Sequence, residues 1–196
     1  IALSDQDDVW RSDKLQLFEN VLNNSPSAGL VFSDANIVDE KLKPLNRRMW
    51  DEIGFDTHKR KLLKTGHALE VLVTGWTVTG ATMAFRSPFV KLSLPIPEEI
   101  AMIHDGWIAL TIGAVADVIA IDEPLIQYRQ HAQQQIGAPA RKEAAPQVGG
   151  MKSIETAFHR RNSSTDLQKI LETLEARLLA HAGDFDIRKA LSFVSD

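Results

Sequence analysis

Apolar and polar residues follow one another along this chain in short blocks that predict strands and helices in alternation. Ile1, Ala2 and Leu3 run to Ser4 and open into Asp5, Asp7 and Asp8, the order of a buried strand delivering acids to its C-terminal edge. Ser12 is then placed to cap a helix whose apolar positions Leu15, Phe18, Val21 and Leu22 recur at helical spacing, with Asn23 to Pro26 stopping it. Residues 28–33 predict a second strand, which 36–39 either continue or pair with before a polar turn at 40–44. Asp34 and Asp39 read as turn acids. From 47 to 74 the pattern predicts helix in pieces, burying Trp50, Ile53 and Phe55, with Ala68, Leu69, Leu72 and Val73 on another apolar face. His58 and His67 read as surface residues there.

The second half carries its own signals. In the run TGATMAFR, Gly80 precedes Ala81 and then alternating apolar positions, which predicts a tight loop leading into a strand, with a backbone open to close approach by a ligand. Pro88, Pro95 and Pro97 break the chain, and HDGWIALTIGAVAD predicts a helix over 104–117 with Ile108, Ile112 and Val115 on its buried face. Asp105 falls in the first turn, where free amides favour an anion, and Trp107 reads as core. Residues 118–121 and 125–128 predict two short strands joined through Asp122, Glu123 and Pro124 and ending in Arg129, Gln130 and His131. From 132 to 150 the apolar pattern gives way to Gln, Gly, Ala and Pro, so 138–150 reads as a linker between residues 1–137 and a helical extension, 151–196. In that extension Leu167, Ile170, Leu171, Leu174, Leu178 and Leu179 form a stripe able to cover the domain or another chain, and Ile187, Leu191 and Val194 predict a last short helix.

Composition narrows the class without changing this picture. At 196 residues, 44% hydrophobic and 24% charged, the chain has the make-up of an ordinary globular α/β domain with a substantial core. A net charge of -4 gives no reason to expect a nucleic-acid partner, and the absence of cysteine excludes disulfides and thiolate metal sites. No apolar run reaches the length of a membrane span.

The acids carry the candidate chemistry. Three carboxylates within four residues repel one another unless a cation or hydrogen-bond donors hold them, and an all-oxygen set suits a hard divalent ion, Mg2+ or Mn2+. A solvated acidic turn is the competing reading; the position after a strand favours a ligand, since open α/β sheets bind at such edges. His131 is either an imidazole ligand or a loop histidine.

Taken together, Asp5-Gln6-Asp7-Asp8-Val9-Trp10, Gly80 before a strand, His104-Asp105-Gly106-Trp107 opening a helix, and Tyr128-Arg129-Gln130-His131 resemble, in order, the family 2 glycosyltransferases. The resemblance spans residues 1–137 and is nearest to bacterial enzymes of surface-polysaccharide assembly, including rhamnosyltransferase-like members. It implies a GT-A-like α/β fold, a mixed sheet flanked by helices and lacking its first strands. Asp5 and Asp7 would hold the metal and the nucleotide diphosphate, Asp8 would support them, and His131 would be a further metal ligand. Gly80 and Ala81 would lie near donor sugar and acceptor, and Asp105 would be the general base. The implied partners are a nucleotide-sugar donor and a saccharide or lipid-linked acceptor, met in the cytoplasm at the inner face of the membrane, with the enzyme peripherally associated. Because the resemblance begins at the strand before the acids, the strand-helix units that bind nucleobase and ribose are expected upstream of Ile1. The isolated chain is then expected to be inactive, with an exposed sheet edge or the leucine stripe inviting a homodimer.

Two other classes compete with this reading. Asp5-x-Asp7-x-Val9 after a strand also fits the first motif of haloacid-dehalogenase-like phosphatases, with the first Asp as nucleophile and the second as acid/base, but the helical tail stands where their later Lys and acidic pair belong. A non-catalytic assembly module built on the helical tail is the second. A calcium-binding EF-hand loop fits less well still, with Trp10 where that loop needs Gly and Gln16 where it needs Glu.

Overall fold

The computed structural model describes residues 1–73, 77–100, 102–130 and 164–195. Its strands are β1 (Val9–Trp10), β2 (Ala28–Val38), β3 (Pro44–Arg48), β4 (Met83–Phe85) and β5 (Asp117–Arg129). The helices are α1 (Lys14–Asn24), α2 (Met49–Glu52), α3 (Thr57–Lys64), α4 (Ala68–Leu72), α5 (Val90–Ser93), α6 (His104–Gly113), α7 (Ser164–Ala180) and α8 (Arg188–Ser195). They form a mixed α/β arrangement in which a curled sheet of 5 strands, ordered β1-β5-β2-β3 with β4 also on β2, is flanked by helices.

β2 is the axis of the sheet. Apart from Asn36 it is buried at every position, and its alternation divides the interior. Leu30 and Phe32 face a large cluster containing Trp50, Leu72, Trp107, Leu110 and Ile112. Val31 faces the opposite side, where α1 covers the sheet through Phe18. β5 runs parallel to β2 from the pair Ala28↔Asp117 to Val38↔Arg129, while β3 and β4 pair antiparallel with the far and near halves of its other edge. α6 is apolar all round and accordingly buried from Asp105 to Ile112, a central helix rather than a surface one. It lies so close to β2 that a Cβ on Gly29 would come within 2.6 Å of Ile112 Cγ2, so only glycine fits there.

Several expectations need correction. The segment from Ile1 to Leu3 is a half-exposed edge rather than a buried strand: it bridges β4 at Ala2↔Ala84, and Ile1 is 53% exposed. Asp34 is not in a turn but in mid-strand and 2% exposed; Oδ1 accepts from the amides of Ala35 (2.7 Å) and Trp50 (3.0 Å), and Oδ2 from Arg48 Nε (2.6 Å). Residues 44–48, expected as the end of a turn and the start of helix, form β3 because they complete that edge. The two short strands expected at 118–121 and 125–128 are one strand. Its register slips from Ser33↔Ile121 to Asp34↔Pro124, so Asp122 and Glu123 bulge out, and Arg60 Nη1 (3.1 Å) and Arg11 Nη1 (2.9 Å) hold their carboxylates. The α1 cap position is Asp13 rather than Ser12, and Leu15 is 53% exposed. Asp39 does behave as a turn acid, accepting from Lys41 and Lys43 amides at 2.8 Å.

In α7 the leucine stripe is covered by the chain itself. Ile170, Leu174 and Leu178 join the cluster around Trp107, and Arg177 donates to the carbonyls of Leu92 (2.9 Å) and Pro95 (2.7 Å). Leu167 and Leu179 stay outside. The expected linker, 138–150, lies outside the described residues, and no helix among those described is long and apolar enough to cross a membrane.

Since Leu174 is 0% exposed, Leu174→Ala should lower stability by about 2–5 kcal/mol in denaturant melts and keep a single transition. Leu179→Ala, at a position 54% exposed, should change it by no more than about 0.5 kcal/mol. Equal small effects of both would show that the tail does not share the domain core.

Candidate functional site

Three stretches far apart in sequence come together at one end of the sheet: the stretch from the acid loop through β1 to the first residue of α1, the 3-10 turn Gly80–Thr82, and the start of α6. The acid loop crosses that end because its two ends pair with different strands. Leu3 donates to Met83 O of β4 (3.4 Å), and Val9 pairs with Gln127 of β5.

Asp105 occupies the first turn of α6, preceded by Ile103 in extended conformation at the cap position. It is 7% exposed. Its Oδ1 accepts from the Gly106 amide at 2.8 Å, satisfying a first-turn donor, and its Oδ2 accepts from the Gly80 amide at 2.9 Å. Burial raises its pKa above the usual carboxylate value, and the Gly80 amide, the His104 charge and the Gly106 amide pull it back. Gly80 is thus the partner of Asp105. A Cβ at Gly80 would sit 3.5 Å from His104 Nε2 and 3.6 Å from Asp105 Cβ, ordinary contact, so crowding does not demand glycine; its absence leaves space beside both side chains.

In the acid loop, Asp5 is exposed while Asp7 and Asp8 are half-buried. Asp8 Oδ1 accepts from the Arg129 amide at 3.0 Å, tying the loop to the end of β5. Its Oδ2 is shielded from solvent and has no hydrogen-bond donor among the described residues. Burial, reinforced by Asp5 and Asp7, pushes the Asp8 carboxyl up to about 6 against the Arg129 amide and Lys14. Tyr128 stands where all of these fields overlap. It is 7% exposed, and its phenol is pushed well above its ordinary value by burial first and then by Asp8, Asp5, Asp7 and Asp105. The predicted acids and the predicted base therefore all act on the Tyr128 phenol.

Lys14 had no role in the sequence reading. It is 0% exposed, donates to Ala81 O at 2.6 Å, and lies 3.7 Å from the centroid of the Trp10 ring. Burial lowers its pKa to about 8, against the pull of Asp8 and Asp5. The signal was present: Lys14, Phe18 and Val21 share one helical face, so a lysine sits on the apolar stripe of α1.

His131 lies outside the described residues, and among those described no three His, Asp or Glu side chains converge to hold a metal ion. The donors present still fit a hard cation in kind, being carboxylate oxygens beside the partnerless Oδ2 of Asp8. An ion held by Asp5 and Asp7 would need further oxygens from a second ligand such as a diphosphate. A separate cleft between Gly66, His67, Glu70, Gly113, Lys189 and Phe193 shares no residue with this site. No protein-family model matches the chain, and no curated protein matches it in sequence.

The raised Asp8 pKa has a definite linkage sign. Between its unfolded value near 3.8 and about 6 the folded chain binds more protons at Asp8 than the unfolded chain. Its contribution to stability should therefore fall as pH rises through that window and stay constant above it. Thermal melts of the parent and of Asp8→Asn across this range should diverge in that direction. Parallel curves would mean that Asp8 titrates as a solvated acid.

Proposed function

We propose that this protein is a glycosyltransferase of the family 2 type with a GT-A-like fold. It would move a sugar from a nucleotide-sugar donor to a saccharide or lipid-linked acceptor, with inversion, in surface-polysaccharide synthesis at the cytoplasmic face of the membrane. The observation that carries this reading is the buried Asp105, anchored by the amide of Gly80 on the same turn whose Ala81 carbonyl accepts from Lys14, the residue that opens α1 just after the Asp5, Asp7 and Asp8 loop. Inverting transfer needs two opposed functions, a base for the acceptor hydroxyl and charge compensation for the departing diphosphate; Asp105 would serve as the first and the acid loop would provide the second.

In this reading the acceptor oxygen forms its bond to the anomeric carbon as the bond from that carbon to the diphosphate oxygen breaks, the electron pair leaving with the phosphate. The hydroxyl proton passes to Asp105. Burial raises the proton affinity of that carboxylate, which favours accepting a proton, while the Gly80 and Gly106 amides hold both oxygens in place. A Mg2+ or Mn2+ ion bound by Asp5 and Asp7, with His131 as a further ligand, would supply charge stabilisation of the leaving diphosphate. By the resemblance, donor sugar and acceptor would meet near Gly80 and Ala81.

In the full-length protein, Asp105→Asn should keep Mn2+ and nucleoside-diphosphate binding, measured by calorimetry, and lose roughly 10²-fold or more in transfer rate. It should cost about 1 kcal/mol of stability, because an amide cannot accept from both the Gly80 and Gly106 N–H groups as the carboxylate does. Asp7→Ala should instead abolish metal-dependent nucleotide binding. A fully active Asp105→Asn, or metal dependence untouched by Asp7→Ala, would overturn the reading.

A further inference from the structure

Lysine is rarely buried without an ionic partner, yet Lys14 is 0% exposed and its ammonium donates to a neutral carbonyl, Ala81 O at 2.6 Å. Two aromatic rings also face it, Trp10 with its centroid 3.7 Å and Phe18 with its centroid 5.4 Å from the ammonium. Methionine would fill the same volume without the desolvation penalty of an ammonium, so filling space does not explain a lysine here. What the ammonium does, and a thioether cannot, is hold the carbonyl of Ala81 at a fixed point.

The amide of Gly80, within the same 3-10 turn, donates to Asp105 Oδ2. From Lys14 to Asp105 there are thus two hydrogen bonds joined by a short stretch of backbone with little freedom of its own. The first bond spans 67 residues of sequence and the second 25. At its other end Lys14 opens α1, immediately after the acid loop and β1, and lies within electrostatic reach of Asp8 and Asp5. A shift of the Gly80–Thr82 turn would move the Asp105 carboxylate relative to the acids, and displacements of this kind are costly wherever two reacting groups must be aligned.

We infer that Lys14 is a positioning residue: by anchoring the Ala81 carbonyl it sets the Gly80 amide, and through it the Asp105 carboxylate, in register with the acid loop. Its kinetic consequence rests on the transferase reading above, whereas its structural consequence does not. The full-length protein carrying Lys14→Met or Lys14→Gln tests both. Methionine has no donor, and the glutamine amide is one bond too short to reach Ala81 O. In a chain that still melts cooperatively, the Gly80 amide proton should move upfield and exchange faster with solvent in either variant. Turnover should fall about ten- to a hundred-fold with KM for the donor little changed. If one variant fails to fold, the other decides. An unaltered Gly80 amide in a folded variant overturns the inference even if transfer is seen. Absence of transfer by the parent with every nucleotide sugar tried counts against the transferase reading alone, and the Gly80 amide then decides the role of Lys14.

Discussion

Because β2 is buried at every position but Asn36, each of its peptide groups must find a partner inside the protein, and β5 is the strand that accompanies it along its whole length. That parallel pairing joins residues about ninety apart in sequence, from Ala28↔Asp117 to Val38↔Arg129, and much else follows from it. Parallel strands need a crossover, and α6 ends in it, pressed against the sheet at Gly29. The bulge at Asp122 and Glu123 re-aims the second half of β5 so that Tyr128 and Arg129 reach the end of the sheet beneath the acid loop. Were the register to slip, the anchoring amide of Arg129 would leave Asp8, and Tyr128 would exchange its buried face for the other.

The electrostatic character of the site follows from where that geometry excludes water. Acids near the sheet end do not behave alike. Asp5 is exposed, Asp8 is raised to about 6 by burial, and Asp105 is raised by burial while two amides hold it. A buried lysine lowered to about 8 lies between the two halves. Burial thus raises the proton affinity of the carboxylates of Asp8 and Asp105 alike.

Asp34 shows the same physics in a structural role. It holds the junction of β3 and α2 through the amides of Ala35 and Trp50 and the Arg48 guanidinium, while Phe32, Trp50 and Phe55 pack against one another, Trp50 on Phe55 edge-on at 4.8 Å. A buried carboxylate with this many donors is satisfied rather than poised, which separates it from Asp8, whose Oδ2 has none among the described residues.

Local chemistry was legible in the chain. The helix opening at His104 with an acid in its first turn, the Gly80 turn before β4, the core position of Trp107 and the burial of Trp50 and Phe55 all follow from spacing and from preferences that act over a few residues. So did the mixed α/β class. Tertiary structure alone decided that Asp34 is a strand acid, that residues 44–48 form an edge strand, that two expected strands are one strand with a bulge, and that Lys14 is an anchor. The reason is common to all four. Whether a polar group turns to solvent or is buried depends on the partner that reaches it, and those partners, Arg48 for Asp34, β2 for β3 and β5, and Ala81 for Lys14, are brought in by chain closure that no local pattern encodes.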